Sequence, residues 1–235
     1  MKRNTQHARR NTQLILALDV NNRQQAIRWV KLLYPRVKIF KVGLQLYTAC
    51  GPKIIQDIRE IGAEVFLDLK FNDIPNTMVN AAKEVIRHKV AMLTVHTLSG
   101  PDALKEVAKV CRESKTKVLG VTILTSISPY FLKDLKIQRT LKGEVLYLAK
   151  MAKMCGLDGV VCSAQETEVL RKALGRNFLL VTPGIRPADA ARGDQQRVAT
   201  PQDAVKAGSN FIVVGRPILE ADNPLQVVEE INSCF

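Results

Sequence analysis

The sequence is poor in the residue types that build metal centres and disulfide frameworks. It contains three histidines and five cysteines, and no two cysteines form a CxxC pair. An odd number of cysteines without such pairing argues against a disulfide framework and against a zinc site. We therefore expect reduced thiols, no bound metal ion and a cytoplasmic location.

Long apolar runs are also missing from the sequence. No segment approaches the roughly 18 to 20 consecutive apolar residues that a membrane-spanning helix needs, so we expect no membrane partner. Residues 1–11 are polar and basic, and they lack the apolar core of a signal peptide. We interpret them as a basic, flexible tail, with a transit peptide as the less favoured alternative.

Acidic residues are scarce relative to basic ones, which leaves a net charge of +13. The basic residues are scattered along the whole chain, aromatic residues make up only 5% of it, and no RNP, KH or helix-turn-helix signature is present. The charge therefore favours anionic small molecules such as phosphates over a specific nucleic acid. Nucleic-acid binding remains an alternative that salt-dependent binding to random RNA or DNA would reveal.

Short runs rich in Val, Ile and Leu recur eight times and predict strands buried on both faces. They cover residues 14–18, 37–42, 64–69, 91–95, 118–123, 157–162, 178–182 and 210–214. Helical periodicity follows each run, over residues 23–33, 52–61, 79–87, 103–110, 144–154, 166–173, 201–207 and 224–231. This alternation predicts an α/β protein with a single-domain (β/α)8 TIM barrel over residues 12–235. A doubly wound open sheet is the alternative, although no GxGxxG follows the first strand.

Polar, ionisable or glycine-rich residues stand at the predicted carboxyl ends of the strands, where barrel enzymes place their active sites. They are Asp19, Lys41, Asp68 with Lys70, His96, Thr125 with Ser126, Pro183-Gly184 and Gly215-Arg216. Because random surface charge would not follow the strand ends so regularly, we expect a catalytic centre there. For His96 we favour a hydrogen-bonded residue at the rim over an acid or a metal ligand.

The segment from Asp68 to Thr77, which reads DLKFNDIPNT, is the most informative part of the sequence. Residues two apart in a strand point to the same face, so Asp68 and Lys70 should lie side by side. Asp73 follows beyond the strand end, and Pro75 suits the start of a helix. An ammonium between two carboxylates suits a lysine that acts as a positioned acid. Ordinary surface charge at a solvated strand end is the alternative.

The last two strand ends predict a phosphate site. After the eighth strand, Gly215 allows backbone amides to approach an anion and Arg216 offers a fork of donors. Barrels of this type commonly bind phosphate with the loops after strands 7 and 8. The connection over residues 183–200 is long and contains Gly, Pro and Arg, which predicts a mobile lid. A plain surface connection is the alternative.

These motifs, in their order and spacing, resemble the orotidine 5′-phosphate decarboxylase family over residues 12–233. Beside DxKxxDIPNT, the matching segments are Leu18-Asp19, Phe40-Lys41-Val42-Gly43, Leu124-Thr125-Ser126, Thr182-Pro183-Gly184-Ile185-Arg186, Gly193-Asp194-Gln195 and Val214-Gly215-Arg216-Pro217. The resemblance implies decarboxylation of orotidine 5′-monophosphate to uridine 5′-monophosphate and CO2, the last step of de novo UMP synthesis, with no cofactor and no metal. Magnesium-dependent sugar-phosphate decarboxylases or aldolases share DxKxxD but typically lack the IPNT continuation, and they are the alternative.

The resemblance also implies a role for each catalytic residue. Lys41, Asp68, Lys70 and Asp73 would form a network of alternating charges. Lys70 would protonate C6 of the pyrimidine as CO2 leaves, and Asp68 would lie against the substrate carboxylate. Asp73 and Thr77 would reach into the active site of the partner subunit, which implies a homodimer with shared sites.

The resemblance assigns the remaining substrate contacts to three parts of the nucleotide. Asp19 and Lys41, with Asp73 and Thr77 of the partner subunit, would hold the ribose hydroxyls. The other contacts would be Thr125 and Ser126 to the base and Gln195, Gly215 and Arg216 to the phosphate, with Arg186 assisting from the lid.

Overall fold

Eight parallel strands close into a barrel in which each strand pairs with its neighbours in chain order. The computed structural model describes residues 12–186 and 199–235. The strands are β1 Gln13–Ala17, β2 Ile39–Gly43, β3 Glu64–Phe71, β4 Met92–His96, β5 Lys117–Val121, β6 Gly159–Val161, β7 Leu179–Thr182 and β8 Phe211–Val214. The barrel closes where β1 pairs with β8, with Ile15 opposite Val213. The predicted (β/α)8 barrel is confirmed, and the alternative of an open doubly wound sheet is wrong.

A helix follows every strand, as the periodicity predicts. The helices are α1 Arg23–Leu33, α2 Leu44–Cys50, α3 Lys53–Glu60, α4 Pro75–Arg87, α5 Gly100–Cys111, α6 Pro129–Asp134, α7 Leu141–Met154, α8 Ala164–Leu174, α9 Pro201–Ala207, α10 Arg216–Leu219 and α11 Pro224–Asn232. The sequence did not reveal α2, α6 and α10, because each is too short and buries too few residues to show a periodic stripe.

Helix α4 begins at Pro75, four residues before the start that hydrophobic periodicity predicts. Proline suits the first turn because its fixed φ is helical and its missing N–H would have no helical partner there. The first turn of α4 is exposed, and Met78 is its first buried residue. Periodicity alone therefore places the start too late, whereas Pro75 indicates it correctly.

The barrel interior is a layer of apolar side chains contributed by nearly every strand. The buried members are Ile15, Ala17, Ile39, Phe66, Met92, Leu119, Val181 and Val213. The residues of opposite parity, such as Leu16, Phe40 and Val65, pack outward against the helices in the larger core. Because strand side chains alternate, residues two positions beyond the interior layer also point inward, at the carboxyl end of the barrel.

The predicted basic tail, residues 1–11, lies outside the described residues. Within residues 12–186 and 199–235, no helix is both long enough and apolar enough to cross a membrane.

Candidate active site

A cavity of about 260 Å³ opens at the carboxyl ends of the strands. This volume lies just below the range of about 300–1,000 Å³ for small-molecule sites. Eight residues to which the sequence assigns a catalytic or substrate-binding role contribute to its wall: Asp19, Lys41, Asp68, Lys70, Thr125, Arg186, Gly215 and Arg216. Most of them lie an even number of positions beyond a residue of the apolar interior layer, so their side chains point inward as well. Lys41, for example, lies two residues beyond Ile39, and Asp68 lies two residues beyond Phe66.

Four charged residues form a chain of alternating sign across one side of this cavity. Lys41 Nζ lies 3.3 Å from Asp19 Oδ1 and 3.7 Å from Asp68 Oδ2. Lys70 Nζ donates to Asp68 Oδ1 at 3.0 Å. The side chains of Lys41 and Asp68 are only 12% and 14% exposed, so water screens their attraction less than at an open surface. The predicted side-by-side arrangement of Asp68 and Lys70 is confirmed.

A β-bulge, and not a regular strand, brings Lys70 to this position. Leu67 pairs with Leu93 and Phe71 pairs with Val95, so the intervening stretch of β3 is two residues longer than that of β4. Within the bulge Lys70 adopts a left-handed conformation with φ of 51°. For a residue other than glycine this conformation costs about 1–2 kcal/mol. Bulges beside active sites commonly redirect a side chain in this way.

Thr94, which no motif of the sequence indicated, completes the network. Its side chain is fully buried, its Oγ1 accepts a hydrogen bond from the Lys70 N–H at 2.9 Å, and its hydroxyl donates to Asp68 Oδ1 at 3.0 Å. One signal could have revealed it. Thr94 is a polar residue two positions beyond Met92 of the interior layer, the same parity that places Lys41 and Asp68 in the site.

A close approach between backbone and side chain occurs where β2 ends. A Cβ placed on Gly43 would lie 2.9 Å from Lys41 Nζ, closer than real Cβ contacts allow. The backbone at Gly43 is extended with φ of −96°, a conformation that other residues also adopt. Glycine therefore leaves space for the Lys41 ammonium here and is not needed for backbone freedom.

His96 ends β4 next to the network. Its Nδ1 accepts a hydrogen bond from the Leu98 N–H at 3.3 Å, so the predicted hydrogen-bonded histidine is confirmed. Burial lowers the pKa of His96, and the positive charge of Lys70 lowers it further. Both effects favour the neutral imidazole.

The other described groups near the cavity do not favour metal or thiol chemistry. Among the residues that the structure describes, no three His, Cys, Asp or Glu side chains come together in a way that could hold a metal ion. Cys162 lies in the cavity wall, but burial raises its pKa to about 12. A thiol with so high a pKa is a poor nucleophile near neutral pH.

Three predicted site residues do not belong to the wall of this cavity in the described part of the chain. Asp73 and Thr77 are exposed, and Asp73 Oδ1 accepts a hydrogen bond from the Ile74 N–H at 2.6 Å. Ser126 is also exposed, beside Thr125 in the wall. For all three, the assigned roles remain predictions.

Only the two ends of the connection predicted to form a lid, residues 183–186 and 199–200, belong to the described residues. The Arg186 N–H donates to the Ala199 carbonyl at 3.0 Å, and the Ala199 N–H donates to the Gly184 carbonyl at 3.3 Å. These bonds join the two described ends of the connection at the edge of the cavity. Gln195 and its neighbours Gly193 and Asp194 lie outside the described residues, so their predicted contacts with phosphate remain predictions.

Comparison with known proteins places this chain in a family. Residues 12–231 match the sequence profile described as the orotidine 5′-phosphate decarboxylase / HUMPS family. The chain belongs to this family. The membership expected from the DxKxxDIPNT segment and its companions is confirmed, and with it the expectation that the chain is an enzyme of a decarboxylase family.

Curated relatives within the decarboxylase family match nearly the whole chain. The orotidine 5′-phosphate decarboxylase of Geotalea daltonii is 45% identical over 223 residues, which cover 93% of this chain and 93% of that protein. The protein of the same name from Syntrophotalea carbinolica is 47% identical over 225 residues, covering 93% and 92%.

Solved structures of the decarboxylase family share the fold. Orotidine 5′-phosphate decarboxylase from Lactobacillus acidophilus superimposes with a TM-score of 0.85 at 38% identity, covering 95% of this chain and 99% of that one. The Methanocaldococcus jannaschii enzyme, complexed with the inhibitor BMP, has a TM-score of 0.77 at 26% identity, covering 95% and 98%.

Proposed function

We propose that this chain decarboxylates orotidine 5′-monophosphate to uridine 5′-monophosphate and CO2 in the cytoplasm, without a cofactor. Family membership and near-complete coverage of the named decarboxylases support this activity. The observation that carries it is the alternating chain Asp19–Lys41–Asp68–Lys70 in the cavity wall. Such a prearranged set of charges suits a reaction in which the protein itself must stabilise developing charge.

Lys70 is the proposed proton donor. When the bond between C6 and the carboxylate breaks, its electron pair stays at C6 as a vinylic carbanion, because the pyrimidine ring offers no adjacent electron sink. An ammonium directed at C6 stabilises this negative charge and then transfers its proton to the carbon. Lys70 Nζ is held 3.0 Å from Asp68 and is only partly exposed, so its position is set before substrate arrives.

Asp68 and Lys41 are proposed to orient the reacting end of the substrate. Asp68 uses Oδ1 for Lys70 and Thr94, and its Oδ2 lies 3.7 Å from Lys41 Nζ. In this position the carboxylate would lie against the leaving carboxylate of the substrate. Lys41 and Asp19 would then bind ribose hydroxyls from the side of the network that lies away from Lys70.

The test of this function follows turnover of the proposed substrate directly. Purified protein is mixed with orotidine 5′-monophosphate, and loss of its ultraviolet absorbance is recorded with and without EDTA. We expect the same turnover in both samples. Turnover that EDTA abolishes would contradict a reaction without a metal ion, and a substrate left unchanged would reject the proposed activity.

Gly43→Ala is expected to lower kcat/KM by about 10-fold and to change the free energy of unfolding by less than about 1 kcal/mol. The new Cβ would displace the Lys41 ammonium, which is the far end of a flexible side chain, so the fold tolerates it. Gly143→Ala is the matched control, because its Cβ would lie 3.1 Å from Thr140 Oγ1 at the start of α7, and Gly143 does not belong to the cavity wall that the described residues form. Equal losses in both variants would contradict the role of space beside Lys41.

Arg216, with Gly215 and Gln195, is proposed to bind the substrate phosphate, and Arg186 to assist from the lid. Arg216→Ala is expected to lower kcat/KM for orotidine 5′-monophosphate by roughly 10²-fold, because contacts remote from C6 help to organise the reacting end. For orotidine, which lacks the phosphate, kcat/KM should change little.

Arg36→Ala controls for loss of an arginine, since Arg36 pairs with Glu229 at 3.2 Å and lies before β2, away from the cavity. The control should leave both substrates unaffected. An Arg216→Ala variant with unchanged kcat/KM for the nucleotide would remove the phosphate-binding role.

We further propose that the protein is a homodimer in which Asp73 and Thr77 serve the partner's active site. Both residues are exposed, and the large apolar side chain of Ile74 between them is 67% exposed. In the proposed dimer, the second copy would cover this exposed isoleucine. The proposal also explains why the wall of the cavity, in the described part of the chain, contains Lys70 but not Asp73.

A further inference from the structure

We propose that Thr94 is a positioning residue that holds both Asp68 and Lys70 in the geometry needed for proton transfer. This inference rests on the proposed function, because it concerns the same site. Thr94 does not belong to the wall of the cavity that the described residues form, so it is not proposed to touch substrate. It would act through the two residues to which it is hydrogen bonded.

The bulge in β3 explains why a hydroxyl is needed at this point. Opposite Leu93 to Val95 of β4, strand β3 carries two extra residues, so the regular ladder between the strands is interrupted. The Lys70 N–H lies in this interruption and donates to the Thr94 side chain at 2.9 Å. A side-chain oxygen thus satisfies a backbone donor where the ladder is irregular, and it does so at the residue with the left-handed conformation.

The two partners of Thr94 determine the direction of both hydrogen bonds. The Lys70 N–H can only donate, so Thr94 Oγ1 must accept from it. An ionised Asp68 can only accept, so the Thr94 hydroxyl must direct its proton to Oδ1. The hydroxyl proton therefore cannot rotate away without loss of a hydrogen bond. One side chain thus links the backbone of Lys70 to the carboxylate that holds the Lys70 ammonium.

Two other buried threonines, Thr97 and Thr116, bond to backbone carbonyls instead. Thr97 donates to the Val121 carbonyl and Thr116 donates to the Val90 carbonyl, each at 2.8 Å, so both join neighbouring segments of backbone. Thr94, in contrast, is hydrogen bonded to the backbone N–H of Lys70 and to the carboxylate of Asp68. Thr116 precedes β5 at the opposite end of the barrel and provides a matched control.

Thr94→Val tests the proposal because it keeps the branched shape and removes the hydroxyl. We expect kcat to fall roughly 10- to 100-fold, with KM changed by less than about threefold, since a small misplacement of a catalytic group costs up to about 10²-fold. Thr94→Ser keeps the hydroxyl and should retain kcat within about threefold of the wild type. Thr116→Val should lose stability without a fall in kcat.

A second pair guards against a valine variant that does not fold. Thr94→Ser and Thr94→Ala differ by the hydroxyl alone. The kcat of the alanine variant should therefore lie below that of the serine variant by the same factor as the kcat of the valine variant lies below that of the wild type. Serine and alanine variants with equal kcat, or a valine variant with wild-type kcat, would overturn the proposal.

Crystal structures of the valine and serine variants separate this inference from the proposed function. In the valine variant we expect residue 70 to leave the left-handed conformation or its Nζ to move away from Asp68 Oδ1, whereas the serine variant should keep both. An unchanged Lys70 in the valine variant would contradict the positioning role. If the wild type failed to decarboxylate the nucleotide, the proposed function would fall, and these structures would still decide the role of Thr94.

Discussion

Lys70→Ala is expected to lower kcat by about 10⁴-fold, because it removes both the proposed proton donor and the positive charge nearest the developing carbanion. The Lys70 ammonium is 3.0 Å from Asp68 Oδ1, and among the described residues of the cavity wall the other lysine is Lys41. The Lys41 ammonium lies near the other carboxylate oxygen of Asp68, Oδ2, and closer to Asp19 Oδ1. The measurement is the loss of ultraviolet absorbance of orotidine 5′-monophosphate under saturating substrate.

Lys117→Ala is the matched control for this variant. Lys117 Nζ forms an ion pair with Asp158 Oδ1 at the same distance of 3.0 Å, at the amino end of β5, away from the cavity. Its removal should leave kcat within about twofold of the wild type, because Lys117 lies away from the cavity and partly exposed ion pairs contribute little to stability. A Lys70→Ala variant as active as this control would reject Lys70 as the proton donor.

Mixing inactive Lys70→Ala protein with inactive Asp73→Ala protein is expected to restore activity. If Asp73 acts in the partner's site, a mixed dimer places both substitutions in one site and leaves the other site intact. Random exchange of equal amounts makes half of the dimers mixed, so about a quarter of all sites should be active. The measurement is activity before and after subunit exchange, with exchange followed by a tag on one variant.

A second mixture controls for nonspecific effects of exchange. Lys70→Ala and Lys41→Ala alter residues that face the same cavity from one chain, so every site of a mixed dimer keeps one substitution. That mixture should stay inactive. Persistent inactivity of the first mixture after demonstrated exchange would mean that Asp73 does not act across the interface.

The barrel was predictable because its signals are local. Continuous apolar runs indicate strands buried on both faces, and helical periodicity between them leaves few topologies. The parity of side chains along a strand also places Lys41 and Asp68 inward once the barrel is accepted. Motif spacing, together with the resemblance, selected eight residues that line the cavity, and Pro75 indicated the start of α4 better than periodicity did.

The sequence by itself therefore determined the barrel, its family and the residue types at the strand ends. Only the tertiary structure revealed the bulge in β3, the left-handed Lys70 and the hydrogen bonds from Thr94. These features depend on the register between two strands, with Thr94 more than twenty residues from its partners in sequence. No local pattern encodes that register, because it results from packing of the whole barrel around its interior layer.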